Sequence, residues 1–272
     1  MKTILNLNRM DTSNIGDLKT SPFDYFTPVG WRVLRRDILD SLIADRRSAW
    51  EADFDIADCI VIGGGGLLDI DYFQAGLHEV YRRRRADQKL IVWGAGHNHY
   101  NLANWSSIRH HVDLIPYNYT LIGLRDVSDT YDWAPCPSCM DSAFDEKFET
   151  KNDVILYKHV ETEIGEYERN LLPHDIKIID NYTPFEKVIR DLGESELILT
   201  SSFHGAYWGT LLKRKVIAFP FSSKFYGLKH AVPLCDVRDW GRFSKLAYSH
   251  PDALDECRTA SRIFFEKFIN LL

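Results

Sequence analysis

Apolar residues in this 272-residue chain fall in short runs of three to five, separated by longer stretches with helical periodicity. In the first half, the runs at residues 3–7, 58–62, 90–93 and 119–123 read as buried strands. Residues 30–48, 72–86 and 104–113 read as helices between them. The pattern then restarts, with strands expected at 154–157, 176–179, 197–199 and 216–219, and helices at 161–171, 184–192, 203–212 and 252–271. Such alternation predicts βαβ units and parallel sheets. The polar stretch D-E-K-F-E-T-K-N-D at 145–153 separates the two series, so an N-terminal domain is expected over 1–148 and a C-terminal one over 149–272. The fold class is therefore α/β, with two Rossmann-like domains facing a cleft and mostly parallel sheets. Ligands of such sheets bind beyond the carboxyl ends of the strands, which makes the loops after each strand the place to look for chemistry.

Two of these loops are rich in glycine. D-C-I-V-I-G-G-G-G-L-L-D runs from a strand into four glycines that include Gly64 and Gly65. Their backbone N–H groups suit an anion-binding nest at a helix start, and they equally suit a tight turn with no ligand. The segment is neither G-x-G-x-x-G nor a Walker loop. The next strand ends in W-G-A-G-H, with Gly94, Gly96 and His97 at the same expected sheet edge. After the fourth strand, L-I-G-L-R-D-V-S-D places Arg125 at a strand end. Its guanidinium fits a carboxylate or phosphate through paired hydrogen bonds, or else forms a surface pair with Asp126.

In the second half, L-I-L-T-S-S-F-H-G-A-Y-W-G carries an apolar strand into Ser201 and Ser202, good N-cap residues, and then His204 and Gly205 at a helix start. A histidine there can deliver a proton near neutral pH while the N–H groups of the first turn hold an anion, or it can simply cap the helix. No G-x-S-x-G elbow supports a serine hydrolase. Lys224, after the next strand, either adds positive charge to the same anion site or belongs to a solvated loop.

Composition narrows the partners. At −6 the net charge argues against nucleic acid held by the field of a whole domain. No apolar run approaches the ~20 residues that span a bilayer, and the N-terminus lacks the pattern of a signal peptide, so a cytoplasmic location is expected. The run Arg82-Arg83-Arg84-Arg85 is either a solvated helix end or a contact for anionic headgroups at the inner face of the membrane. The aromatic share, 13%, suits stacking on sugar rings as well as core packing. Five cysteines form an odd set; Cys136 and Cys139 make one C-x-x-C between prolines, with no second pair or histidines at zinc spacing, and read as structural loop residues with no metal.

Taken in order, N-x-G-D at Asn14, Gly16 and Asp17, the polyglycine strand end, G-x-G, R-D-x-S from Arg125, D-x-A-F from Asp141 and S-S-F-H-G with Lys224 beyond make the chain resemble the polysaccharide pyruvyltransferase family. The resemblance implies a GT-B-like fold, no cofactor, phosphoenolpyruvate as donor substrate, and a sugar acceptor on a lipid-linked oligosaccharide that receives a pyruvate ketal. By position it implies that Arg125 binds the donor's phosphate or carboxylate and that His204 is the general acid. Asp17 orients or deprotonates the acceptor hydroxyl, or else caps a helix. Asn14, Gly16, the glycines of both turns, Ser201, Ser202, Gly205 and Lys224 would line the substrates. Some family members carry arginine where this chain has Ser202, which shifts the second anion contact to Lys224, another arginine or the helix N-terminus. Two rivals share the architecture: a nucleotide-sugar glycosyltransferase, and a non-catalytic polysaccharide-assembly protein.

Overall fold

The computed structural model describes residues 1–100, 102, 114 and 117–272; the helix expected at 104–113 lies outside them. Among the described residues ten strands form two parallel sheets. β1 (Lys2–Asn8), β2 (Trp31–Asp37), β3 (Cys59–Leu68), β4 (Lys89–His97), β5 (Leu121–Leu124) and β6 (Asp132–Trp133) build the first, in the order β2-β1-β3-β4-β5-β6. β7 (Asn152–Lys158), β8 (Lys177–Asp180), β9 (Ser195–Thr200) and β10 (Lys215–Ala218) build the second, ordered β10-β9-β7-β8. Ile4 pairs with Cys59 across the centre of the first sheet, and Tyr157 with Thr200 across the second. Strand order reverses between β1 and β3 and again between β7 and β9, and a crevice opens at the carboxyl ends at each such point.

The longer helices cover these sheets with apolar faces. α1 (Ile15–Leu18) is one short turn after β1; α2 (Ala44–Ile56) buries Trp50 and Phe54, and α3 (Asp71–Arg83) buries Phe73, Leu77 and Val80. α4 (Glu166–Asn170), α5 (Phe185–Gly193), α6 (Phe203–Leu211) and α7 (Ala253–Leu271) follow. α6 is buried along its whole length, as its run of apolar and small residues requires. α7 spans the two halves: Ala253, Leu254 and Cys257 join the core of the second sheet, whereas Phe264 and Phe268 pack with Trp93, Ile91 and Val61 under the first.

Three expectations need correction. Residues 31–37 form an edge strand rather than the start of a helix, because their pairing with β1 from Lys2↔Trp31 to Asn8↔Asp37 outweighs the loose helical period, and their charges suit an exposed edge. The helix expected over 161–171 shrinks to Glu166–Asn170, and Val160 and Glu161 instead line the cavity between the two sheets. The four glycines continue β3 as far as Leu68 instead of opening a helix; β3 stays paired with β4 through them, with a shift of register between Gly65 and Leu68.

The arginine run is used locally. Arg82 pairs with Glu79, Arg83 with Asp55 and Glu51, and Arg85 with Asp87, while Arg84 donates to the carbonyls of Gln88, Tyr117 and Asn118. Among the described residues no helix is long and apolar enough to cross a membrane.

Candidate active site

A cavity of about 790 Å³ opens between the two sheets, at the carboxyl ends of β1, β3, β4, β5, β7, β8 and β9. Its size suits a small-molecule substrate together with part of a larger one. The first half supplies Arg9, Asn14, Asp17 and Arg125; the second supplies His159, Ser202, His204 and Lys224.

Each side chain is placed by a short local device. The Asn14 side chain accepts from the Gly16 N–H at 3.0 Å and so starts α1, which carries Asp17. Ile15 N donates to Asn181 O at 2.9 Å, tying this loop to the opposite half. Gly16 then meets the His204 ring so closely that a Cβ built on it would lie 2.1 Å from Nδ1. Lys224 rides on a short turn, Ser223–Phe225, stapled to the loop after β4: Ser223 N donates to His99 O, and Ser223 Oγ accepts from His99 N at 2.8 Å and pairs with His97 Nδ1 at 2.9 Å. His97 is thus a buried brace beside the cavity.

Arg125 is the most exceptional group. It is 5% exposed, its guanidinium lies 3.9 Å from the Phe203 ring centroid, and its Nε and Nη2 have no hydrogen-bond partner among the described residues. The alternative of an Arg125–Asp126 surface pair is not what the fold forms: both residues are buried, and the Asp126 carboxylate accepts from His97 N instead. A buried cation with idle donors is costly unless an anion completes it.

The electrostatics follow from burial beside this charge. Burial, then Arg125, Lys224 and His159, hold His204 well below the usual histidine range, so the resting ring is neutral. Lys224 is pushed down to about 8, by burial first and Arg125 second. Burial raises the Asp17 carboxyl although Lys224, Arg125 and Arg9 pull it down. His159 falls to about 3 through burial and Lys224, and its Nδ1 accepts from Glu161 N at 3.2 Å, so the neutral ring carries its proton on Nε2.

Of the residues singled out by sequence, Asn14, Asp17, Arg125, Ser202, His204 and Lys224 converge on the cavity. Gly16, Gly64, Gly65, Gly94, Gly96, Ser201 and Gly205 are not part of its lining and stand behind it. Gly64 (φ 64°) backs onto Thr20 O, Gly94 lies against the Pro135 carbonyl, and Gly205 lies against Tyr157 and Thr200. Gly65 lies next to Thr20, and at Gly96 a Cβ would come 2.4 Å from Arg125 Nε, so its absence makes room for the guanidinium. Ser201 Oγ accepts from His159 N at 2.9 Å and meets Thr162 Oγ1 at 2.6 Å. Ser202 holds the N-cap position of α6 without a side-chain capping bond; its Oγ instead accepts from Asn181 Nδ2 at 3.1 Å, just after β8. Arg9, His159 and Asn181 were missed, although each directly follows a strand, and the strand-end rule alone would have found them. Among the described residues no cluster of His, Cys, Asp or Glu is arranged to hold a metal ion.

Comparison with known proteins agrees with this architecture. UDP-GlcNAc 2-epimerase from Methanocaldococcus jannaschii superposes with a TM-score of 0.51 at 9% identity, covering 98% of this chain and 99% of that one. The S. aureus MnaA structure with UDP gives a TM-score of 0.50 at 12% identity, covering 100% and 98%. At such identities the likeness is one of fold, the GT-B-like arrangement of two Rossmann-like halves. No curated protein matches the sequence significantly. The sequence profile described as polysaccharide pyruvyl transferase, by contrast, matches residues 11–223, from the loop after β1 to the turn that carries Lys224, and the chain belongs to that family.

Proposed function

We propose that this chain transfers the pyruvyl group of phosphoenolpyruvate to two hydroxyls of a sugar on a lipid-linked oligosaccharide, forming a ketal. The observation that carries this reading is the buried Arg125 guanidinium, with idle Nε and Nη2, in one cavity with Lys224 and His204. Two cations and the first turn of α6 suit the phosphate and carboxylate of the donor, and Lys224 takes the part that an arginine at position 202 would otherwise play.

In this mechanism the donor's negative charge offsets Arg125 and Lys224, so His204 gains a proton on binding. The imidazolium gives a proton to the methylene carbon, leaving an oxocarbenium-like C2 that still bears phosphate. One sugar hydroxyl adds to C2 and loses its proton to Asp17, whose raised pKa suits a base that takes and returns protons. Phosphate leaves with its electron pair, and the second hydroxyl closes the ketal as its proton passes to the departing phosphate. Fixed positive charge at the departing phosphate supplies the electrostatic part of catalysis. Exposed Tyr72, Tyr100 and Tyr182 at the cavity wall offer faces on which the acceptor sugar can stack.

The test is mass spectrometry of lipid-linked oligosaccharides incubated with phosphoenolpyruvate. A gain of one pyruvate ketal is expected, lost in Arg125→Ala and His204→Ala. Near-normal turnover by His204→Ala would remove the acid from the scheme. Thermal stabilisation by UDP with no response to phosphoenolpyruvate would favour a nucleotide-sugar glycosyltransferase.

A further inference from the structure

The C-x-x-C loop has no part in the scheme above, yet it touches the residue that does the chemistry. α6 presents His204, Tyr207 and Trp208, spaced i, i+3 and i+4, on one face. All three reach the turn that follows β6. Tyr207 Oη donates to Cys136 O at 2.9 Å, Trp208 Nε1 donates to Ser138 Oγ at 3.0 Å, and His204 Nε2 lies 3.7 Å from Cys136 Sγ. Cys136 Sγ and Ser138 Oγ are 3.2 Å apart. Cys136 is 1% exposed and Ser138 fully buried.

The direction of this chain of bonds follows from its first member. An indole N–H can only donate, so Ser138 Oγ accepts from Trp208. The hydroxyl hydrogen then goes to its other neighbour, Cys136 Sγ, since a buried hydroxyl left unpaired is costly. With sulfur already accepting, its own hydrogen has the basic His204 Nε2 as partner. Burial pushes the Cys136 thiol up and His204 down, so both are neutral at rest and the bond is S–H to N rather than thiolate to imidazolium.

We propose that Cys136 is a positioning residue for His204: its thiol donates to Nε2, so the neutral imidazole carries its proton on Nδ1, on the Gly16 side and away from Cys136. The relay from Trp208 through Ser138 to Cys136 therefore aims the ring's N–H out of the helix packing and toward the loop at residues 14–17. When His204 gains a second proton, at Nε2, the thiol turns about its Cβ–S bond to accept it, and no heavy atom has to move.

Nitrogen-15 spectroscopy of the full chain labelled at histidine tests this without substrate, with the His204 signals assigned by their loss in His204→Gln. The expected spectrum has a pyrrole-like Nδ1 and a pyridine-like Nε2. Cys136→Ala should mix or reverse the two, whereas Cys136→Ser, which keeps a donor, should retain them. If Cys136→Ala does not fold, Cys136→Val carries the same test, because it fills the site without a donor. A protonated Nε2 in the wild type, or an unchanged tautomer in the variants that fold, overturns the proposal. The catalytic meaning of the tautomer rests on the pyruvyl-transfer reading, and there Cys136→Ala should lower kcat roughly 10-fold with KM for phosphoenolpyruvate little changed. Failure of that reading leaves the spectroscopic result standing, so the two can fail separately.

Discussion

A Cβ added to Gly16 would lie 2.1 Å from Nδ1 of His204 and 2.8 Å from Cγ. Helical backbone alone does not ask for glycine there; the opposing imidazole does. Gly16→Ala should therefore cost about 1–3 kcal/mol by overpacking and push His204 off its position. Urea unfolding would show the modest stability loss, and phosphate release from phosphoenolpyruvate a much larger fall in kcat. Lys224 gives a second expectation. Its pKa is pushed down to about 8, so affinity for the anionic donor should weaken as pH rises past about 8. Below that pH the ammonium is present; above it only Arg125 remains among the pair. Calorimetric titrations with phosphoenolpyruvate from pH 6.5 to 9.5 would show the decline, and Lys224→Arg should flatten it, because a guanidinium keeps its proton throughout. Residue types at strand ends were legible in the sequence. The direction of a histidine tautomer was not, because its partner Cys136 lies 68 positions away.

At the scale of elements, Asp37 shows how one strand end shapes the site. Its Oδ2 accepts from Met10 N at 2.6 Å, Asp11 N at 2.7 Å and Arg9 Nη1 at 2.8 Å, and Oδ1 accepts from Leu39 N at 2.9 Å. This 3% exposed carboxylate closes β2 and holds the loop after β1 that leads to Arg9 and Asn14. Asp37→Ala would leave the buried Leu39 N–H without this acceptor, at about 1–3 kcal/mol before relaxation, and would release the part-buried donors of Arg9, Met10 and Asp11. The denaturation midpoint should fall, and donor affinity with it as Arg9 and the loop lose their anchor. Neither effect is visible from local pattern. The period of W-R-V-L-R-R-D fits a helix loosely, and only the neighbouring β1 makes it a strand. Likewise the glycines after Ile62 read as a tight turn, with or without a ligand, whereas the paired β4 draws them into the sheet and leaves Gly66 alone of the four in the cavity wall.

For the whole molecule, a net charge of −6 conceals a cavity that holds two buried cations, Arg125 and Lys224, beside the carboxylates of Asp17, Asp69, Asp71 and Glu161. α7 adds a mechanical link between the halves that line this cavity. Phe264 (1% exposed) stands on Trp93 with ring centroids 5.2 Å apart, so Phe264→Ala should cost about 3–5 kcal/mol. Calorimetry should record a lower Tm, with kcat measured well below the transition nearly unchanged. Phosphoenolpyruvate at 100 times its Kd should add about 2.7 kcal/mol to either protein if it binds only the folded chain.

By itself the sequence determined the class of fold, since the apolar runs of parallel strands and the helices between them are local consequences of burial on both faces of a sheet. It also determined which chemical groups stand at strand ends: His204, Arg125, Lys224, Asp17. Which of these meet was decided by tertiary structure. The cavity is assembled from seven strand ends distributed over two sheets, and the glycines around it make room for close neighbours: Thr20 O at Gly64, the Arg125 guanidinium at Gly96 and the His204 ring at Gly16. Distance along the chain carries no information about such approach. It arises from how the two halves pack, and so do the idle donors of Arg125 and the thiol behind His204.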